Sequence, residues 1–98
     1  SHLVRRLGKR HYLPLVRKSM LAAMDLLKRH QISAVIVDRT PGNVDPIEFI
    51  LNIRDVNSGI PVFIPVQILD GKNRTALHSC GPKVYSFKNL NELINSIN

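Results

Sequence analysis

The stretch Ile32 to Pro46 constrains this chain more than any other. It opens as an apolar, mostly β-branched run, Ile32-Ser33-Ala34-Val35-Ile36-Val37, and ends abruptly on a carboxylate, Asp38. Pro41-Gly42 then marks a turn and Asp45-Pro46 a helix start. A buried parallel strand reads as a continuous apolar run because helices cover both faces of its sheet. The carboxyl ends of such strands are where α/β proteins place ligands and chemistry. Asp38 therefore stands where a functional acid would stand.

The flanking sequence supplies the other elements. Leu3, Val4 and Leu7 share one face of a short helix over Leu3 to Arg10, weakened by Gly8. Tyr12 to Val16 reads as a strand, placed at an edge by Pro14. Ser19 caps a helix from Met20 to His30, with Met20, Ala23, Met24 and Leu27 as its inner stripe. Asp45, Pro46 and Glu48 fit the cap, first and third positions of the next helix, which stops near Asn57-Ser58-Gly59. Ile60 to Val66 is the next strand, and its two prolines must fall near its ends or at a bulge. Residues 67–82 carry a weak signal: a turn over Asp70 to Asn73, helical turns from Arg74 to Ser79, and a break at Gly81-Pro82. Lys83 to Phe87 is the last strand, ending at Lys88. Asn89 then caps a final helix whose inner face is Leu90, Leu93, Ile94 and Ile97. Strand and helix alternating over short connections predict an α/β fold, a parallel sheet covered on both sides.

Composition narrows the function. The 98 residues suit a single domain with one modest core. No run approaches the roughly 18 apolar residues of a membrane span, and Ser1 to Arg6 lacks the apolar stretch of a signal peptide. The single cysteine, Cys80, has no disulfide partner within the chain and no metal-ligand spacing, which points to a reducing, cytoplasmic setting. His2, His11, His30 and His78 form no ligand pair, and no glycine-rich phosphate loop is present. The net charge of +7 resides in residues 1–39, where nine bases face only Asp25 and Asp38. A basic half of this kind is either a solvated face or a contact for an anionic partner, and nucleic acid binding through residues 5–29 is one reading of it. No interleaved aromatics support that reading.

In pattern and spacing the chain resembles the response-regulator receiver domain, the flavodoxin-like (CheY-like) module of two-component signalling. The resemblance spans about residues 3–98. Tyr12 to Val37 looks like that family's second strand, second helix and third strand. Asp38 falls at its phosphoryl-accepting aspartate and Lys88 at its invariant lysine. Tyr85 falls at its aromatic switch residue, and Asp45-Pro46-Ile47-Glu48 resembles the segment that follows its active-site turn. The resemblance implies a three-layer α/β/α receiver-like domain over residues 1–98, a part of a larger signalling protein.

The departures shape the expected function. The family's first strand and the acid pair at its end are missing, for the first acid here is Asp25, inside a helix. Val66 stands where the family has a hydroxyl residue, and Asn89 where it usually has proline. Pro41-Gly42 comes one position early. Without the acid pair no Mg²⁺ and no other cofactor is expected. Valine cannot hydrogen-bond a phosphoryl oxygen. Asp38, Val66 and Lys88 thus read as a vestigial acceptor site, with Asp38 and Lys88 expected to pair with each other. The implied function is that of a non-enzymatic pseudo-receiver, a regulatory and dimerisation module. Its contact face includes Tyr85, Phe87 and Leu90, and its partners are proteins or other domains of the same protein. The alternative is a working phospho-acceptor whose acid pair lies outside this chain. Loss of a central strand predicts either a dimer that fills the gap or direct pairing of the Tyr12 strand with the Ile32 strand.

Overall fold

A computed structural model describes residues 5–6, 17–39 and 44–97. Within them, α1 (Met20–Arg29) leads to β1 (Val35–Ile36), α2 (Pro46–Val56) and β2 (Val62–Pro65). A 3-10 turn (Val66–Ile68), α3 (Gly71–Ala76) and a second 3-10 turn (Leu77–Cys80) precede β3 (Val84–Phe87) and α4 (Leu90–Ser96). The fold is α/β. The three strands form one sheet in the order β1-β2-β3, and both pairings are parallel.

Local chemistry accounts for the helix starts. Ser19 Oγ accepts from the Ala22 amide at 3.1 Å, Asp45 Oδ1 from Ile47 at 2.9 Å, and Asn89 Oδ1 from Glu92 at 2.9 Å. Each bond satisfies a first-turn N–H that has no partner within its helix. Pro46 begins α2, where its missing N–H costs nothing. Lys28 and Arg29 close α1, where positive charge meets the negative end of the helix dipole.

Two cores sandwich the sheet. On one face Val37, Val62 and Ile64 pack with Phe49, Ile50 and Ile53 of α2 and with Leu69 and Cys80, and the α1 stripe of Met20, Ala23, Met24 and Leu27 lies against them. On the other face Phe63 and Phe87 pack with Leu93 and Ile94 of α4. Alternation along β2 sends Val62 and Ile64 one way and Phe63 the other, as strand geometry requires. No helix among the described residues is long and apolar enough to cross a membrane.

Three expectations change. The Ile32 strand is shorter than its apolar run: only Val35 and Ile36 are strand, although the Val37 amide still donates to the Phe63 carbonyl at 2.8 Å. Ile32 instead packs against the core from outside the ladder. The prolines meet the rule for strand ends, with Pro61 just before β2 and Pro65 its last residue. Val66 therefore leaves the strand and starts the 3-10 turn. The turn expected at Asp70 to Asn73 is the start of α3, because the same Asp70 Oδ1 that could close a turn accepts from the Asn73 amide at 2.8 Å and caps the helix. Apart from Arg5 and Arg6, which are helical, the helix over Leu3 to Arg10 lies outside the described residues. So do the Tyr12 to Val16 strand, its pairing with the Ile32 strand, and the Pro41-Gly42 turn.

Candidate functional site

Three parallel strands deliver their carboxyl ends to the same edge of the sheet. Asp38 follows β1, Val66 follows β2 and Lys88 follows β3. Pro65 is the register partner of Phe87, so Val66 and Lys88 leave the sheet side by side. Asp38 is exposed, directly after Val37, which is only 4% exposed.

The expected ion pair between Asp38 and Lys88 does not form. The ion pair among the described residues joins Arg29 to Asp25 at 3.0 Å, one helical turn apart on α1. Strand order gives the reason. β2 lies between β1 and β3, so the backbones that carry the two charges start roughly 9–10 Å apart. Two exposed side chains gain too little from water-screened attraction to hold a bridge over that span. The ends of β2 and β3 are tied instead by Gln67, whose Nε2 donates to the Lys88 carbonyl at 2.7 Å. Sequence reading missed Gln67, because a lone glutamine in an irregular segment carries no signal of its own.

Val66 is half-buried. Its carbonyl accepts from the Leu69 amide at 3.1 Å and from Arg74 Nη2 at 3.4 Å. Val66 and Lys88 both line a groove of about 310 Å³ that reaches the α3 segment, and Asp38 does not line it. The structure thus brings two members of the trio together and leaves the acid apart.

The contact face also divides. Tyr85 is the register partner of Phe63, and their ring centroids are 5.3 Å apart at 31°. Tyr85 remains 48% exposed, so one side of its ring is open to a partner. Phe87 is 6% exposed and belongs to the core, and Leu90 packs half-buried against it.

At the opposite end of the sheet, Arg54 was not legible as a structural residue. Its guanidinium donates to the carbonyls of Ser58, Ile60 and Pro82, joining α2 to the segments that enter β2 and β3. Its Nε is buried without a partner among the described residues. Cys80 is buried, its Sγ 3.8 Å from the Ala76 carbonyl, and burial pushes its thiol pKa up, with Arg54 opposing and Asp45 reinforcing the shift. Among the described residues no cluster of three or more His, Cys, Asp or Glu is placed to hold a metal ion.

Comparison with protein-family models, with curated proteins and with solved structures gives no match. The receiver resemblance therefore rests on the residues and their placement alone.

Proposed function

We propose that this chain is a receiver-like, non-catalytic regulatory module that works through protein contacts within a signalling system. One observation carries the reading. Asp38, Val66 and Lys88 end three neighbouring parallel strands, in the order in which the receiver family places its acceptor, hydroxyl and lysine. One of the three, Val66, lacks what phosphoryl transfer needs, and the acid pair that would accompany Asp38 is missing from the sequence before it. That chemistry depends on positioning and on neutralising charge. The only acid that precedes Asp38 in this sequence, Asp25, pairs with Arg29 on α1. Val66 offers methyl groups where a hydroxyl would orient a phosphoryl oxygen.

Two features favour protein contact as the output. The open side of Tyr85 lies beside the α4 core. The outer edge of β1 has no neighbouring strand among the described residues, and a free edge is a template for another chain. A second copy of the chain is the partner this reading favours.

The test is titration with beryllofluoride and Mg²⁺, read from amide shifts. The expected result is no saturable change at Asp38, Val66 and Lys88. Saturable shifts at all three would overturn the reading in favour of a working acceptor.

A further inference from the structure

The groove between the ends of β2 and β3 and the α3 segment has an apolar floor and a polar rim on which Arg74 and Lys88 carry the positive charge. Val66, Leu69 and Leu77 form the floor, and Leu69 is 3% exposed. Arg74, His78 and Lys88 stand around it together with Ser86, and among the described residues no carboxylate lines it. Among the described residues the Arg74 guanidinium makes only the 3.4 Å bond to the Val66 carbonyl. Among the described residues the side chains of His78, Ser86 and Lys88 have no hydrogen-bond or ion-pair partner. Arg74 and Lys88 place two positive charges beside one groove with no acid among the described residues that line it, which favours an anion there.

We infer that this groove binds a small organic oxyanion, its carboxylate or phosphate head on the rim and its aliphatic body on the floor. The volume of about 310 Å³ lies at the small end of ligand pockets. Arg74 supplies a planar fork for two oxygens, Lys88 a mobile point charge, and Ser86 a neutral donor. Val66, the departure that removes a hydroxyl from the acceptor site, is here part of the apolar floor. The inference is independent of the regulatory reading, because beryllofluoride needs Asp38 and the groove does not.

The experiment is amide-shift titration of the 98-residue chain with hexanoate and with hexyl phosphate, using hexanol and inorganic phosphate as controls. Saturable shifts at Leu69, Arg74, His78 and Lys88 with either amphiphilic anion, but not with hexanol, are expected. The tighter of the two identifies the head group. Arg74→Gln and Lys88→Gln each weaken binding about tenfold, while Asp38→Asn leaves it unchanged. Three results overturn the inference: no saturation with either anion, equal shifts from hexanol, or shifts from inorganic phosphate as large at Lys18, Lys28 and Arg29 as in the groove.

Discussion

Arg54 Nη2 donates to the carbonyl of Pro82 at 2.7 Å, across 28 residues of sequence. The same guanidinium holds the carbonyls of Ser58 and Ile60, so one side chain satisfies acceptors on both segments entering β2 and β3. Charge-assisted bonds of this kind are each worth about 1.5–3 kcal/mol, and a stranded acceptor adds its desolvation cost. Arg54→Met should lower stability by about 2–4 kcal/mol in urea unfolding. Arg54→Lys should recover little, because an ammonium cannot fork toward three acceptors. Recovery of most of the loss by lysine would show that only charge matters here.

Lys83 has a φ of 63°, the left-handed region that a side chain disfavours. Its carbonyl accepts from the Val62 amide at 2.9 Å, so the ladder holds it there. Lys83→Gly should raise stability by about 0.5–1 kcal/mol. A lower melting temperature for the variant would mean that the lysine side chain contributes more than its backbone strain costs.

Tyr85 and Phe63 form an aromatic register pair at 5.3 Å. Tyr85→Ala should cost about 1 kcal/mol in thermal unfolding, and Tyr85→Phe close to nothing. If the open side of Tyr85 serves a partner, Tyr85→Ala should also weaken self-association in sedimentation equilibrium. A dimer unaffected by the change would place the contact elsewhere.

Burial raises the pKa of the Cys80 thiol, so the folded state keeps its proton at a pH where the unfolded chain has lost it. The folded form then holds more protons, and stability falls as pH rises past the ordinary thiol range. This contribution is fully present at neutral pH and disappears on the alkaline side. Cys80→Ala should cost stability at pH 7 through the cavity it leaves, and its alkaline slope should be shallower than that of the native chain. Parallel slopes would show that the thiol plays no part. Alkylation of the native protein by iodoacetamide at pH 7 should be much slower than that of the urea-unfolded chain.

Asp38 is exposed and has no partner among the described residues, so Asp38→Asn should leave unfolding within about 0.5 kcal/mol of the native value. A loss above about 1 kcal/mol would reveal a contact that holds the end of β1 in place.

What the sequence revealed followed from the range of each interaction. Ser19, Asp45 and Asn89 act on amides two or three residues away, so their caps could be read directly. Residues 66–82 resisted because their conformation depends on distant partners: Gln67 on the Lys88 carbonyl, and Cys80 on the core beneath it. Arg54 was invisible for the same reason, since its acceptors are backbone carbonyls and leave no trace in composition. The Asp38–Lys88 pair failed because spacing shows which strand ends share an edge but not whether two side chains meet across the strand between them.

The sheet order β1-β2-β3 matches the order of the chain. A ribosome extends a chain from its amino end, so each of these three strands emerges beside the one already made. Among the described residues α4 comes after all three strands, and its Leu93 and Ile94 close over Phe63 and Phe87. A nascent chain stalled before Leu93 would carry a finished ladder with two bare phenylalanines. The α4 segment therefore decides how long those two rings stay exposed to water as the chain is made.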